Sequence, residues 1–362
     1  MRLSSSAMFL CFACAPFGVR AHSSGAAEPP VAATIETTLK TADGQIRQFA
    51  FDGDPATYFA SVQNPSAGDH FTVIFDKPVT IRSLTVTTGR PQGGDRMEAG
   101  ALEASKDGKS FTALANFVDG DARGGPVGEP IRAIRIKPTA DLHHPLAIRE
   151  IALDSTPPVT MFKYPVEITV NVDDAPDMKE WAEKAARICE RSYAMINEEL
   201  KSDGFHPRRT ISMTLKNDYN GVAATGRGRI TGSAKYFKSH PDDFGAMVHE
   251  TVHVVQAYRT GNNPGWLVEG IADYIRFYKY EPGKLRPISP DRAKYNGSYQ
   301  VTARFLAFVA EKYDREIVRK LNQRMREGEY REEVWKDLTK KTVQELEEEW
   351  RAALRNGTAR GP

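Results

Sequence analysis

The chain has 362 residues, of which 40% are hydrophobic and 27% are charged, and its formal net charge is +2. This length predicts two domains, and this composition excludes a mainly disordered, collagen-like or low-complexity protein. The nearly balanced charge gives no support for a nucleic-acid partner. After the N-terminal segment no apolar run reaches the roughly 18 residues needed to span a bilayer, so we predict no transmembrane segment.

The N-terminal segment has the features of an export signal. Arg2 gives a short positive start, Ala7 to Val19 is apolar, and Val19-Arg20-Ala21 has small residues at the positions needed for cleavage. A buried first helix is the alternative, but Pro16 would break it. We predict a signal peptide over residues 1–21 and a secreted protein, extracellular or periplasmic.

Cysteine usage agrees with this interpretation. Cys11 and Cys14 fall inside the signal, so the mature chain keeps Cys189 alone. One cysteine cannot form an internal disulfide, and we interpret Cys189 as a small buried hydrophobe on a helix face. Lipid modification of Cys14 is an alternative that the residues before it fit poorly.

The first half of the chain has the pattern of an all-β domain. Residues 22–33 are small and polar and predict a linker. From residue 34 to 155, short alternating runs such as Phe71–Phe75 and Ile131–Ile136 lie between turn signals, and no helical period is sustained. This pattern predicts an antiparallel β-sandwich of about eight strands.

Five segments of this region, taken in order, resemble a discoidin-type domain (coagulation factor 5/8 C-terminal type), which is a jelly-roll sandwich. The resemblance implies a module that binds glycans or cell surfaces through loops at one end. The segments are FDGDPATYF (Phe51 to Phe59), GDHFTVIFDKPVTIRSLTV (Gly68 to Val86), LEASKDGKSFTALANF (Leu102 to Phe117), IRAIRIKP (Ile131 to Pro138) and LAIREIAL (Leu146 to Leu153).

Candidate ligand-binding residues in this module are few. The region contains no Trp, so Tyr58 and Phe59 are the candidates for stacking on a sugar, although core or turn packing is the favoured interpretation for both. Asp52 and Asp54 are candidates for holding a Ca²⁺ ion through oxygen ligands. An Asp-Gly turn capped by its own side chains is the favoured interpretation.

The second half predicts an α+β domain over residues 160–355. Alternating strands at Val166–Val172 and Ile211–Leu215 flank a helix over Asp174–Leu200, and several helices follow. The segment from Gly221 to Lys238 is Gly-rich and then extended, which is typical of an edge strand. We expect its part from Ile230 to Phe237 to be able to pair with a substrate backbone.

The strongest chemical signal is His249-Glu250-Thr251-Val252-His253. It lies in a segment with helical apolar spacing, so both imidazoles project from one face, one turn apart. That spacing suits two zinc ligands, and Glu250 between them has the position of a general base in metal-assisted hydrolysis. Two satisfied histidines on a surface helix are the alternative.

A second helix is predicted to supply the third ligand. After a Gly-rich turn, Trp266 to Tyr274 begins a new helix that returns against the first. Glu269 and Asp273 are four residues apart and share a face. We predict Glu269 as a metal ligand and Asp273 as the acceptor for the outer N–H of a ligand histidine. The reverse assignment, with Asp273 as the ligand, and an exposed acidic face remain open.

These motifs together resemble a known family. HETVH followed by WLVEGIADY is similar to the gluzincin branch of zinc metallopeptidases, whose third ligand is a Glu in such a helix. The closest resemblance is to the basic secretory protein family of plant and bacterial peptidases, from about Pro165 to Trp350. It implies secretion, one Zn²⁺ ion and peptide-bond hydrolysis. Further matching segments are YQVTARFLAFV (Tyr299 to Val309) and VRKLNQRMREGEY (Val318 to Tyr330).

The remaining assignments complete the hypothesis. A donor for the developing oxyanion is needed, and Tyr299, with Tyr295 behind it, is the candidate. Arg208, Arg209, Arg227 and Arg229 form a local basic cluster that either solvates the surface or steers substrate. The alternatives are a non-catalytic glycan- or surface-binding protein with an inactive zinc domain, and a zinc hydrolase of glycan-linked amides.

Overall fold

The computed structural model describes residues 28–42, 44–259 and 263–358. The predicted signal peptide, residues 1–21, lies outside these residues, as does most of the predicted linker. In the described part the first region contains eight strands, which confirms the predicted antiparallel sandwich. The strands are β1 (Ala33–Thr37), β2 (Phe59–Ala60), β3 (Phe71–Thr88), β4 (Gly100–Ser105), β5 (Thr112–Asn116), β6 (Asp121–Gly124), β7 (Ile131–Pro138) and β8 (Ala147–Thr156).

Strand β3 links the two layers of the sandwich. Its first half pairs antiparallel with β1 and β7, and its second half pairs with β6 and β8. The register shifts between Ile74 and Val79, where the exposed Pro78 lacks the N–H that a ladder needs. The side chains that face inward from both layers form one apolar core. Its aromatic members include Phe51, Phe59, Phe71, Phe75 and Phe117.

The second region packs helices around a four-stranded sheet in the described residues, with the order β11-β12-β10-β9. Strands β9, β10 and β12 are parallel, and β11 is an antiparallel edge. The elements are β9 (Glu167–Asn171), α1 (Lys179–Glu199), β10 (Thr210–Lys216), β11 (Ala223–Gly226), β12 (Arg229–Ser233), α2 (Ala234–Ser239), α3 (Phe244–Gln256), α4 (Gly265–Ile275), α5 (Tyr299–Lys312), α6 (Ile317–Glu327), α7 (Val334–Thr339) and α8 (Val343–Arg355).

The edge of this sheet differs from the prediction. The segment from Ile230 to Phe237 is not an edge, because β12 pairs with β10 on one side and with β11 on the other. Its last residues are helical, since the hydroxyl of Ser233 caps the first turn of α2 by accepting from the N–H of Tyr236 at 3.2 Å. The strand open to a partner is therefore the short β11.

Helix α3 lies in the centre of the second region. Asp243 caps its N-terminus by accepting from the N–H of Ala246 at 3.2 Å, and Ala257 ends it in the left-handed conformation. Helix α4 packs against both α3 and α5. Gly270 permits the close contact with α5, since a Cβ there would lie 2.1 Å from Cγ2 of Thr302.

A buried polar cluster joins the sandwich to the helical region. Arg47 contacts the carboxylates of Glu167 at 3.5 Å and Glu190 at 2.5 Å, and all three side chains are at most 11% exposed. Gln48 accepts from the backbone N–H of Val166 at 2.8 Å. These contacts tie the first strand of the second sheet to the sandwich. Buried Cys189 on α1 has the environment predicted for it.

No helix among the described residues has both the length and the apolar character that crossing a bilayer requires.

Candidate metal centre

Three predicted ligands meet at one point between α3 and α4. The Nε2 atoms of His249 and His253 lie 3.1 Å apart, and Oε2 of Glu269 lies 3.1 Å from the first and 3.3 Å from the second. Among the described residues, this is the group of His, Cys, Asp and Glu side chains whose ligand atoms gather closely enough to hold a metal ion. The four-residue spacing on one helix explains why the two histidines lie side by side, and the packing of α4 on α3 brings the glutamate to them.

In both histidines the ring nitrogen that faces away from the shared point, Nδ1, has a hydrogen-bond partner. Nδ1 of His249 lies 2.7 Å from Oδ1 of Asp273, and Nδ1 of His253 lies 2.7 Å from Oε1 of Gln256. The amide nitrogen of Gln256 donates in turn to the carbonyl of Val268 at 2.9 Å. Each Nδ1–H thus has an acceptor, so a metal ion at the shared point would be met by Nε2 of each ring.

Gln256 was missed by the sequence analysis. It follows His253 by three residues on the same helix face and is 1% exposed. The sequence signal was a polar residue in an otherwise apolar helix end, but the acceptor role depends on α4 lying beside it.

The spacing of the three ligand atoms fits a zinc ion. Ligand atoms bound tetrahedrally at about 2.0–2.1 Å from one ion lie about 3.3 Å from each other. The observed separations are 3.1, 3.1 and 3.3 Å. Two imidazole nitrogens and one carboxylate oxygen are also the donor set typical of a catalytic zinc site.

The charges around this point favour a cation. Burial disfavours the imidazolium of His249, but hydrogen bonds to Asp273 and Glu269 outweigh it and raise its pKa to about 9. Burial also acts to raise the pKa of Glu269, yet the hydrogen bonds from the two histidines outweigh it and lower that pKa to about 2. Positive charge at the centre is therefore stabilised by the surrounding carboxylates.

Glu250 lies beside the three candidate ligands and faces the edge strand β11. It is 7% exposed, and its Oε2 lies 2.8 Å from the hydroxyl of Thr225 on β11. The same hydroxyl lies 2.9 Å from the backbone carbonyl of Glu250. A single hydroxyl proton serves one of these acceptors at a time. Thr225 had no sequence signal, because its contact depends on the sheet order.

Tyr299 lies at the mouth of the site in a strained backbone. Ser298 has φ 64° and ψ 167°, a region that is essentially restricted to glycine, and Tyr299 has φ 45°. The Tyr299 ring stacks near His249 with 6.2 Å between centroids, and the residue is 54% exposed. Nearby Glu269 raises the pKa of Tyr299. Such strain is common at functional sites.

Tyr295 has a different environment. Its ring packs edge-on against Trp266 at 5.1 Å, and its backbone N–H donates to Glu347 at 2.7 Å. It does not line the cleft among the described residues. These contacts are those of a packing tyrosine, so Tyr299 is the better of the two predicted candidates.

The centre opens into a cleft of about 1830 Å³. Edge strand β11 and helix α3 form two of its sides, and the starts of α4 and α5 contribute Glu269 and Tyr299. This volume is large enough for several residues of an extended chain. An unpaired strand edge next to a potential general base suits a substrate that binds by backbone hydrogen bonds.

The predicted ligand residues of the sandwich have mixed outcomes. Phe59 is fully buried and packs on Phe71 with 5.0 Å between centroids, which is the core packing favoured for it over contact with a sugar. Tyr58 is half-buried, with the guanidinium of Arg90 at 5.9 Å from its ring.

The two aspartates make the hydrogen bonds of a self-capped turn. Asp52 accepts from the N–H of Asp54 at 3.0 Å and from the hydroxyl of Thr57 at 2.9 Å, and Asp54 accepts from the N–H of Ala56 at 2.9 Å. These bonds match the self-capped turn, the interpretation that the sequence favours over calcium binding. A Ca²⁺ ion at this turn stays a prediction.

Comparison with known families finds two matches. The model of the BSP family, described as peptidase of plants and bacteria, matches residues 170–350. The model of the F5/8 type C domain matches residues 32–151. Both families agree with the resemblances drawn from the sequence. A search of curated proteins finds no match.

Solved structures similar to this chain include two from Clostridium perfringens. One is CBM32-1 from a family 31 glycoside hydrolase, which is 19% identical, covers 33% of this chain and 92% of its own, and has a TM-score of 0.28. The other is the family 32 CBM from NanJ in complex with galactose, with 17% identity, the same two coverages of 33% and 92%, and a TM-score of 0.28.

Proposed function

The chain belongs to the BSP family of plant and bacterial peptidases, and on that basis we propose that it is a secreted zinc metallopeptidase with an accessory glycan- or surface-binding module. One observation carries the proposal. Three zinc-type ligand atoms lie within 3.3 Å of each other, and a buried glutamate stands beside them at a cleft lined by an open strand edge.

In this proposal His249, His253 and Glu269 hold one Zn²⁺ ion. A zinc ion bound there would lower the pKa of a water molecule and polarise a substrate carbonyl. Asp273 and Gln256 keep the two imidazoles in the tautomer that leaves Nε2 free. Asp273 faces Nδ1 of His249. The other two ligand atoms lie at Nε2, on the opposite edge of the same ring. This position supports Glu269 over Asp273 as the third ligand.

Glu250 acts as the general base and then as the general acid. It accepts a proton from water and delivers it to the leaving amine. The hydroxyl of Thr225 holds the ionised carboxylate by donating to Oε2. Once Glu250 is protonated, the Thr225 hydroxyl can accept from it and donate to the carbonyl of Glu250. The Tyr299 hydroxyl donates to the developing oxyanion, and one such donor contributes about 3–4 kcal/mol.

The module and the destination of the protein are argued from other features. The F5/8 type C match supports binding of a glycan or surface ligand, and the family 32 CBM it resembles was solved with galactose. The N-terminal export pattern supports secretion. This module also supports a second candidate, a zinc hydrolase of glycan-linked amides. Comparing cleavage of glycosylated and bare forms of one peptide separates the two.

Metal content and activity of four proteins test the proposal. Purified residues 22–362 should contain about one zinc per chain and cleave a peptide library. Glu250→Gln should retain zinc and lose activity, while Glu269→Ala should lose most of its zinc. Glu348→Gln, on the exposed face of α8, is the matched control. Zinc binding without cleavage by the parent protein would instead support the non-catalytic binding protein, and full activity of Glu250→Gln would refute Glu250 as the general base.

A further inference from the structure

The cleft carries three exposed arginines that have no ion-pair partner among the described residues and no part in the proposed mechanism. They are Arg208, Arg227 and Arg259. Arg276 of the same cleft is different, because it pairs with Asp243 at 2.6 Å. Unpaired guanidinium groups inside a concave site are available to a ligand.

Arg227 occupies a position that its backbone disfavours. Strands β11 and β12 are joined by a two-residue turn in which Arg227 has φ 53° and Gly228 has φ 77°. Two positive φ values are typical of a type I′ turn, whose first central position is normally Asn, Asp or Gly. A long side chain at such a strained position, on the lip of a cleft, indicates a functional demand.

Arg208 is held against the same turn. Its guanidinium crosses Gly228 so closely that a Cβ there would lie 2.8 Å from Nε. Its backbone carbonyl accepts from the hydroxyl of buried Tyr193 at 2.9 Å. The turn and its glycine therefore bring Arg208 beside Arg227 rather than leaving it free in solution.

The arginine-bearing segments meet at the end of the cleft where α3 terminates. Arg326 donates to the carbonyl of Val255 at 2.7 Å and to the hydroxyl of Ser202, which joins the loop before β10 to the end of α3. Arg326 thus satisfies the helix end and leaves the other arginines unused. Among the described residues at this end of the cleft, Asp203 is the carboxylate without an ion-pair partner. Unpaired positive side chains therefore outnumber unpaired negative ones there.

We propose that Arg208 and Arg227, with Arg259, form a subsite for a carboxylate of the substrate. The inference rests on the proposed peptidase function and defines its preferred substrates as acidic peptides. Guanidinium groups bind carboxylates through paired hydrogen bonds, which gives both attraction and geometry. Thr225 contacts Glu250, and Arg227 lies two residues, ~7 Å, further along the edge. The acidic side chain is expected two or three residues from the cleaved bond.

The test uses one peptide that the protein cleaves, with glutamate or glutamine placed in turn at three positions on each side of the cleaved bond. We expect kcat/KM to be about tenfold higher for glutamate at one of these positions, and the ratio to fall as salt rises. Arg227→Asn keeps a residue suited to the turn and should bring the ratio to within about threefold, as should Arg208→Gln. Arg229→Gln is the matched control, since Arg229 lies on the same hairpin outside this cleft.

Two further measurements identify the source of the carboxylate and separate the subsite proposal from the peptidase proposal. If a free C-terminus is preferred over its amide while internal glutamate has no effect, the carboxylate is that of the chain end. Binding of a rhodamine-labelled glutamate peptide to Glu250→Gln is measured by anisotropy. If Arg227→Asn weakens this binding while the parent protein cleaves no peptide, the subsite is supported and the peptidase function is rejected. Cleavage with equal kcat/KM for glutamate and glutamine, or a preference that survives both arginine variants, would overturn the subsite.

Discussion

Replacing Asp273 with asparagine tests how the metal centre is built. The carboxylate of Asp273 is 4% exposed and lies 2.7 Å from Nδ1 of His249. Asparagine has nearly the same shape and keeps an oxygen that accepts from Nδ1–H. The change therefore removes one negative charge behind the ligand and leaves the packing of α4 intact.

The magnitude follows from the role of this carboxylate. A hydrogen-bond partner behind a ligand histidine contributes about 10- to 100-fold to metal affinity, or about 1.4–2.7 kcal/mol. Loss of a ligand is expected to cost more, because structural zinc affinities of ~10–16 kcal/mol correspond to about 2.5–4 kcal/mol for each of four ligands. We expect Asp273→Asn to weaken zinc binding by 10- to 100-fold and Glu269→Ala to weaken it further.

The assay is competition with a chromogenic zinc chelator at pH 7.5, with thermal unfolding of each metal-free variant as the check on folding. Glu250→Gln serves as the control that keeps all three ligands. Unchanged zinc affinity in Asp273→Asn would refute its orienting role. A greater loss in Asp273→Asn than in Glu269→Ala would make Asp273 the third ligand.

Three further predictions concern other parts of the molecule. Thr225→Val should lower kcat about tenfold with little change in KM, since it loses a charge-assisted hydrogen bond to Glu250; steady-state kinetics should show that Thr225→Ser restores it. Arg47→Ala should cost about 3–5 kcal/mol in urea unfolding because it leaves buried Glu167 without an ion pair and Glu190 with Arg187 alone, and a smaller loss in Arg47→Ala combined with Glu167→Gln would identify the charge of Glu167 as the cause. Burial raises the pKa of Cys189 to about 12, so at pH 8 about one thiol in ten thousand is ionised, and we expect iodoacetamide to label it only after unfolding; rapid labelling of the folded protein would contradict this burial.

Much of the geometry of the candidate metal centre was predictable because its parts are local. A four-residue spacing places His249 and His253 on one helix face whatever surrounds the helix, and the same holds for Glu269 and Asp273. The Gly-rich turn between the two helices predicted that they pack together. The family resemblance and the sandwich, both drawn from the sequence, are confirmed by the two family matches.

Other features required the tertiary structure. The sequence left both core packing and sugar contact open for Phe59, and the contact of its ring with Phe71 inside the sandwich decides between them. Extended character predicted strands near Ile230 but not which one is the edge, because strand order depends on pairing between distant segments.

The residues that can bind a metal, and those that share a helix face, follow from local sequence, because helical spacing is a property of neighbouring residues. The contact of Thr225 with Glu250 and the position of Arg208 on the turn that carries Arg227 follow from the fold. Those contacts join segments far apart in the chain, and their positions depend on how the sheet and helices pack as a whole.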